Sequence, residues 1–316
     1  MTDSKENMPL DPNALVPGDR YVPLVSSLLE RHFSQILNNF VEKVQKNPPF
    51  APTHEQIVRR LGFALGYYTN RFEKILEWLA HSVFSDNFTY DLSERNQKHL
   101  AHLLSVITGR HVDEIEGYFS EILEDEDLRK HYLEAMQSRM NLGDMDKSFM
   151  VARRLGWYAV VRILKPKVLV ETGVNVGHGS LVLTSALLRN RDEGYPGRYF
   201  GTEINPDFGF LLHGRYAEVG EILYGDSIES LKAFDQPIDL FINDSDHSAD
   251  YEAREYEVVL DKLSPDAMIL GDNAHATDSL MDFCRKHGWQ FVFFKEDPIE
   301  HWYPGAGIGI AFQKTP

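Results

Sequence analysis

The sequence predicts an α/β protein in which a helical region precedes a doubly wound, largely parallel sheet. Hydrophobic spacing changes near Lys165, from repeats of three or four residues to short β-branched runs. Strands that alternate with helices at this spacing are typical of a parallel sheet with right-handed crossovers. The strand-like runs are 167–171, 199–203, 221–224, 238–243, 267–270, 290–294 and 307–313.

The length of 316 residues predicts two domains. Residues 1–18 are polar and contain three prolines, which indicates a flexible arm. We expect a helical domain over 19–145, which serves as a substrate lid or in dimerisation. We expect the sheet domain over 146–316, with the ligand beyond the carboxyl ends of its strands.

Apolar residues in the helical region recur at positions that share one face of a helix. The clearest run extends from Ile57 to Leu79 and begins at Thr53 and Gln56, whose side chains can form a capping box. We expect this stripe to be buried, either against the sheet domain, in a lid, or between two subunits. Further helices are expected over 92–107 and 112–136, divided by Gly109.

Composition excludes several classes of protein. With 48 acidic and 32 basic residues the net charge is −16, which disfavours a nucleic-acid partner. The single cysteine, Cys284, excludes an internal disulfide and reads as a core residue. We see neither a leader peptide nor a membrane-spanning apolar run, and we therefore expect a soluble, cytoplasmic protein with no membrane partner.

A glycine-rich loop follows the first predicted strand. Gly173, Gly177 and Gly179 lie between Glu171 and Ser180, where the backbone can approach a ligand and a helix N-terminus offers free amides. Their spacing, GxxxGxG, does not meet the dinucleotide fingerprint GxGxxG, which disfavours an NAD enzyme. An ordinary strand-to-helix turn is the alternative interpretation.

Acidic and hydroxyl side chains follow the second and third strands. Glu203 ends the second strand, a position from which a carboxylate accepts hydrogen bonds from both hydroxyls of a ribose. Asp226 and Ser227 follow the third strand, where an adenine ring would lie, although either could equally cap the next helix. Together with the glycine loop, Glu203 predicts a ribose-bearing ligand.

Oxygen-bearing side chains also follow the fourth and fifth strands. Asp244 comes after the fourth strand, and Asp272 and Asn273 come after the fifth. The carboxyl ends of neighbouring parallel strands meet at one edge of the sheet, so we expect these residues to converge. Carboxylate and amide oxygens suit Mg²⁺, Ca²⁺ or Mn²⁺. Helix caps and solvated acids are the alternative.

These segments resemble class I S-adenosylmethionine-dependent methyltransferases, and among them the metal-dependent O-methyltransferases of the catechol and caffeoyl-CoA type. The resemblance covers about the last 155 residues. It implies a Rossmann-like, seven-stranded sheet with an antiparallel last strand, and methyl transfer to a substrate oxygen. It also implies a divalent cation on Asp244, Asp272 and Asn273. The segments that carry it are ETGVNVGHGS, GTEINPD, YGDS, INDSDHSADY and LGDNA.

The same resemblance assigns cofactor contacts. Ser180 would bind the methionine carboxylate and Asp246 would support the sulfonium side, although the loop is one residue longer than in the family. The full set of expected cofactor-binding residues is Glu171, Gly173, Gly177, Ser180, Glu203, Asp226, Ser227 and Asp246.

His247 stands where those enzymes carry a lysine as general base, three residues after Asp244. Imidazole is a competent base near neutral pH, so we expect His247 to deprotonate the acceptor hydroxyl. The alternative is that His247 only caps the next helix or orients Asp244. His275 either adds an imidazole to the ion, which would favour Fe²⁺ or Mn²⁺, or lines the pocket.

Three functions remain open at this stage. The first is a cation-assisted O-methyltransferase acting on a small molecule with a hydroxyl next to a second oxygen. The second is a metal-independent natural-product methyltransferase of secondary metabolism that uses His247 alone. The third is a cofactor-binding scaffold protein without activity. In each case we expect a homodimer.

Overall fold

A computed structural model describes residues 18–46, 53–81, 88–139, 149–299 and 301–313. The predicted arm, except for its last residue, lies outside these residues. The chain divides into two compact units, residues 1–69 and 70–316. No helix in the described part of the chain is long and apolar enough to cross a membrane.

The first unit contains helix α1 (Gly18–Lys46) and the first sixteen residues of helix α2 (His54–His81). The predicted capping box at the start of α2 is confirmed. The backbone amide of Gln56 donates to Oγ1 of Thr53 at 3.2 Å, and the Gln56 side-chain oxygen accepts from the Thr53 amide at 2.9 Å. This reciprocal pair satisfies two amides that the helix itself leaves without partners.

Within the first unit the apolar stripe of α2 is exposed, and its burial between two subunits stays a prediction. Ile57, Leu61 and Leu65 are 50%, 56% and 55% exposed. Periodicity identifies the apolar face of a helix but not the surface that covers this face. Helix α1 is equally uncovered, with exposed Val22, Leu28, Phe33, Ile36, Leu37, Phe40 and Val41.

The second unit begins within α2 and continues with three helices that lie between residues 94 and 139. These are α3 (Glu94–Thr108), α4 (Val112–Leu123) and α5 (Glu126–Arg139). Gly109 ends α3 in the left-handed conformation, as predicted, whereas the expected helix over 112–136 breaks at Glu124. Helices α3, α4 and α5 share one apolar core with the sheet, so the structure divides near residue 70 and not at the predicted boundary of 145.

The sheet has seven strands in the order β3-β2-β1-β4-β5-β7-β6. Strands β1 to β5 are parallel and β7 is antiparallel to both neighbours, as expected. The predicted and observed strand ends differ by at most one residue, except that β5 begins four residues earlier. The strands are β1 (Val168–Thr172), β2 (Arg198–Glu203), β3 (Gly220–Tyr224), β4 (Ile238–Asn243), β5 (Leu263–Gly271), β6 (Gln290–Lys295) and β7 (Gly307–Phe312).

Helices cover both faces of the sheet because successive strand residues point to opposite sides. In β1, Leu169 packs in a core shared with α3–α7, while Val168 and Val170 pack in a second core beneath α8–α10. The helices of the sheet region are α6 (Leu155–Leu164), α7 (His178–Asp192), α8 (Ser227–Ala233), α9 (Ala249–Leu260) and α10 (Ser279–His287).

Strand order reverses between β1 and β4, and the ends of these strands are aligned. The amide of Gly173 donates to the carbonyl of Thr202 at 3.0 Å, and the amide of Asp244 donates to the carbonyl of Thr172 at 3.0 Å. The amide of Asp272 donates to the carbonyl of Asn243 at 2.8 Å. The loops that carry the predicted site therefore lie side by side at the switch point, where ligands bind in sheets of this type.

Candidate functional site

A cavity of about 440 Å³ lies at the carboxyl ends of β1 to β4. Its walls come from the glycine loop, the ends of four strands and the first turns of α8 and α9. The lining residues are Gly173, Asn175, Thr202, Glu203, Ile204, Phe208, Gly225, Asp226, Ser227, Asp244, Ser245, Asp246 and Tyr251. The volume suits a small organic ligand.

Gly173 allows the glycine loop to pass against the end of β4. Its φ angle is +81°, and a Cβ atom at this position would lie 2.1 Å from the carbonyl oxygen of Asp244. No side chain fits such a contact, so the sequence needs glycine here for reasons of space as well as conformation. This close approach brings the β1 loop and the β4 loop to opposite sides of one cavity.

Glu203 is nearly buried and organises the loops around the cavity. Its Oε2 accepts from the amide of Asn175 at 2.6 Å, and its Oε1 accepts from the amide of Asn205 at 2.8 Å. Each carboxylate oxygen retains a further lone pair. The side chain can therefore accept hydrogen bonds from a ligand's hydroxyls while it holds both loops.

Asp226 and Ser227 line the cavity and also serve local structure. Asp226 caps α8 through a hydrogen bond from the amide of Glu229 at 3.0 Å. Tyr251 links the two residues, because its hydroxyl lies 3.0 Å from Oδ2 of Asp226 and 2.9 Å from Oγ of Ser227. The helix-cap interpretation and the ligand-lining interpretation thus hold together.

Three predicted cofactor-binding residues lie away from the cavity wall. Gly177 ends the loop, with a φ of +103°, and packs against Leu211. Ser180 is fully buried, and its hydroxyl pairs with the hydroxyl of Tyr199 at 2.6 Å. Glu171 accepts a hydrogen bond from the same tyrosine. In this structure the Ser180 hydroxyl binds Tyr199 on the neighbouring strand, and its contact with the methionine carboxylate stays a prediction.

Burial raises the pKa of Glu171 to about 7, against the opposing effect of hydrogen bonds from Tyr199 and Ser180. Gly179 lies so close that a Cβ there would be 2.0 Å from Oε1 of Glu171. The carboxyl group therefore sits at the closed inner end of the glycine loop, where its charged form is disfavoured.

The predicted ligand residues do converge at the ends of β4 and β5. Ligand atoms of Asp244, His247 and Asp272 lie within 4.8 Å of one another. Asp246 lies on the cavity side of this group and accepts from the amide of Ser248 at 2.9 Å. His275 lies apart from the group, with its Nε2 3.1 Å from the hydroxyl of Tyr303.

Two arginines that the sequence reading did not single out occupy the same cluster. Nη2 of Arg153 lies 2.6 Å from Oδ2 of Asp272 and 2.8 Å from Oδ1 of Asn273. Nη2 of Arg154 lies 3.7 Å from Oδ2 of Asp244. The donor set has the chemistry of a divalent-cation site, yet two of its three predicted ligands already bind a guanidinium. In this arrangement the residues do not fit a cation.

The two aspartates differ in charge preference. Burial and the neighbouring Asp272 raise the pKa of Asp244 well above its usual range. Burial is the largest effect on Asp272 and disfavours its charge, but the Arg153 guanidinium, a hydrogen bond with Asp244 and the Arg154 guanidinium together hold the pKa of that carboxyl below its ordinary value. Of the two aspartates, Asp272, which binds Arg153, is therefore the one that favours the charged form.

Arg153 also determines how His247 is protonated. A guanidinium can only donate, so Oδ1 of Asn273 is the acceptor and its amide NH₂ faces Nε2 of His247, 2.9 Å away. Nε2 must then accept, and the ring proton lies on Nδ1, which is 3.3 Å from Oε1 of Glu252. The imidazole presents an unprotonated Nε2, held in orientation by a buried carboxylate as in other acid–base pairs.

The sequence reading missed Arg153, Arg154, Glu252 and Glu296. Arg153 and Arg154 form a basic pair just before the apolar helix that leads into β1. Two adjacent arginines in a chain of net charge −16 are a sequence signal that could have identified them. Glu252 lies one helical turn beyond His247, and Glu296 lies in the segment between β6 and β7. Nothing in their spacing connects them to the site. Cys284 is buried in α10, as expected of a core residue.

The raised pKa of Glu171 predicts a pH-dependent stability. The folded chain holds this proton up to about pH 7, whereas the unfolded chain releases it near 4.5. Stability is therefore lost as pH rises through this window, by about 3 kcal/mol at most. The glutamine of Glu171→Gln stays neutral at every pH. As pH rises from 4.5 to 8, the free energy of unfolding of this variant, measured in urea, should therefore increase relative to that of wild type by about 3 kcal/mol.

Glu221→Gln is the matched control, since Glu221 is exposed on β3. Its unfolding free energy should follow the wild-type pH profile. Parallel profiles for wild type and Glu171→Gln would contradict the assigned burial effect.

Comparison with known proteins identifies the sheet region. Residues 170–274 match the family described as a methyltransferase domain, whereas no curated protein sequence matches the chain. Similar solved structures include an O-methyltransferase of tomaymycin synthesis from Streptomyces achromogenes, in complex with S-adenosylmethionine, at 18% identity over 64% of this chain and 96% of that chain, TM-score 0.46. Another is a putative caffeoyl-CoA O-methyltransferase from Staphylococcus aureus, at 14% identity over 60% and 96%, TM-score 0.43.

The family match spans the glycine loop, Glu203 and the strand ends that carry Asp244 and Asp272. The observed sheet has the seven-stranded order and the antiparallel β7 that the sequence motifs imply. Residues 170–274 are therefore similar to a methyltransferase domain, and the sheet around them has the strand order that the resemblance to class I S-adenosylmethionine-dependent methyltransferases implies.

Proposed function

We propose that this enzyme transfers a methyl group from S-adenosylmethionine to an oxygen of a small-molecule acceptor. The observation that carries the proposal is Glu203, a nearly buried carboxylate that faces the cavity beside the glycine loop. A ribose bound there would leave its sulfonium end toward Asp244 and Asp246, on the opposite wall. The acceptor would then meet the methyl group next to His247.

The transfer is a single displacement. The acceptor oxygen forms a bond to the methyl carbon, the sulfur–carbon bond breaks, and the hydroxyl proton leaves to a base. We assign that base to Nε2 of His247, since Glu252 holds the ring proton on Nδ1. Asn273 now donates to Nε2, so the acceptor hydroxyl takes the place of this amide when it binds. No covalent enzyme intermediate is needed.

The acceptor we propose carries a hydroxyl next to a second oxygen. Two donor-rich side chains, Arg153 and Arg154, lie where such a pair of oxygens would approach His247 and Asp244. Nη2 of Arg153 already donates to Asp272 and Asn273, so Nη1 of Arg153 would donate to one of the two acceptor oxygens and the Arg154 guanidinium would bind the other.

A divalent cation on Asp244, Asp272 and Asn273 is the alternative form of the proposal. The short distances among Asp244, His247 and Asp272 favour it. The hydrogen bonds from Arg153 to Asp272 and Asn273 oppose it. The reaction that we propose therefore has no step that depends on a metal ion.

The ribose contact is tested by Glu203→Gln. Loss of the charged acceptor should weaken S-adenosylmethionine binding by about 30-fold, equivalent to about 2 kcal/mol for hydrogen bonds to a charged group. Isothermal titration calorimetry measures this directly, with Glu221→Gln as control. If the wild-type chain releases no heat with S-adenosylmethionine, both methyltransferase forms of the proposal are wrong.

The base is tested by His247→Gln. The glutamine cannot take up the proton, so kcat should fall by about 10²–10⁴-fold while affinity for S-adenosylmethionine stays unchanged. Release of S-adenosylhomocysteine from a panel of catechols and other vicinal oxygen acceptors gives the rate. His102→Gln, on the exposed face of α3, should behave as wild type. A variant at position 247 with wild-type turnover would remove His247 from the mechanism.

We also propose that α1 and α2 pair with a second copy of the chain. Both helices expose apolar side chains along most of their length, which a monomer in water does not favour. Wild-type protein should sediment as a dimer. Leu61→Glu/Leu65→Glu should sediment as a monomer, and Arg60→Glu on the same helix should not. A monomeric wild type would contradict the proposal.

A further inference from the structure

The guanidinium of Arg153 lies at the centre of the carboxylate cluster. It donates to Asp272 and Asn273 through Nη2, and its Nε lies 3.4 Å from Oε2 of Glu296. The side chain is only 13% exposed. Arg153 thus contacts both residues that follow β5, together with a third acid from the segment after β6.

Arg153 is held in place by its surroundings. Its guanidinium carbon lies 5.7 Å from the ring centroid of Tyr90, a cation–π contact. The Tyr90 hydroxyl donates to Glu296 and accepts from the amide of Ala306 at 2.9 Å. If Arg153 moved away, the buried carboxylates of Asp272 and Glu296 would both lose their ion-pair partner, which is unfavourable.

The charge of the cluster is already balanced in large part. Asp244, Asp272 and Glu296 face two fixed positive charges, Arg153 and Arg154. A divalent cation between Asp272 and Asn273 would stand against a guanidinium that binds the same two oxygens. Repulsion between like charges in a buried cluster opposes this, and the ion would first have to displace Arg153.

We infer that Arg153 takes the place of a divalent cation in this methyltransferase, so that the enzyme binds no metal at Asp244, Asp272 and Asn273. The inference rests on the proposed function for its role in the reaction. Within the described part of the chain we find no hydrogen bond to Nη1 of Arg153. This nitrogen is available to an acceptor oxygen, on which it concentrates positive charge as a metal ion would.

The inference also defines Arg153 as a residue that selects the acceptor. The Arg153 guanidinium supplies positive charge and the N–H donors of Nη1, but it has no open coordination positions. It favours acceptors that carry an anionic or carbonyl oxygen beside the reacting hydroxyl, such as a hydroxy acid or a hydroxy ketone. It gives less advantage to a simple diol, which a metal ion would bind through two neutral oxygens.

The test measures metal binding as well as activity. Mn²⁺ is titrated into the full-length wild-type chain with S-adenosylmethionine, and free Mn²⁺ is followed by electron paramagnetic resonance. We expect no loss of the free signal at equimolar Mn²⁺ and no change of turnover with a chelator. Arg153→Met should bind one Mn²⁺ and lose turnover by about 100-fold without it. Arg285→Met, an exposed arginine on α10, should match wild type.

If wild type binds one Mn²⁺ and Asp272→Asn does not, the inference is wrong. This outcome does not depend on any Arg153 variant. If Arg153→Met fails to fold, the double variant Arg153→Met/Glu296→Gln is used instead. It removes one negative charge together with the positive charge of Arg153, so the net charge of the cluster stays the same. Failure of this double variant to bind Mn²⁺ would also count against the inference. Calorimetry with S-adenosylmethionine separates these outcomes from failure of the proposed function, because cofactor binding does not depend on the Mn²⁺ result.

Discussion

Three carboxylates, Asp244, Asp272 and Glu296, meet with little access to water, and the need to balance their charge constrains the whole site. They come from three separate segments: the ends of β4 and β5 and the stretch after β6. Placing such groups together is unfavourable unless each finds a partner. Arg153 binds two of them, which ties the end of the sheet to the segment before α6.

The same arginine extends its effect to the reacting groups. Because the Arg153 guanidinium can only donate, the side-chain oxygen of Asn273 must face it and the NH₂ group must face His247. That NH₂ group donates to Nε2 of His247, so the ring proton lies on Nδ1. Glu252 completes this chain from α9. His247, the base that we propose, is therefore held in one orientation, and rigid elements of the fold support each of these residues. On the other side of the cavity, Glu203 performs a comparable role for the glycine loop.

The sequence predicted the sheet and the convergence of Asp244 with Asp272 because both follow from local pattern and strand adjacency. It also located Glu203 and the glycine loop for the same reason. It did not reveal Arg153 or Glu296, since their partners lie more than 100 residues away and no periodicity links them. It identified the apolar face of α2 but not what covers that face, because periodicity does not identify a partner.

The central claim is that a guanidinium stands where related sites would hold a metal ion. The most direct measurement is a crystal structure of the chain with S-adenosylmethionine and an acceptor analogue, grown in Mn²⁺ and recorded near the manganese absorption edge. The account predicts no anomalous peak between Asp244, Asp272 and Asn273, with Arg153 bonded to the last two. A manganese peak at coordination distance from these oxygens, with Arg153 displaced, would contradict it.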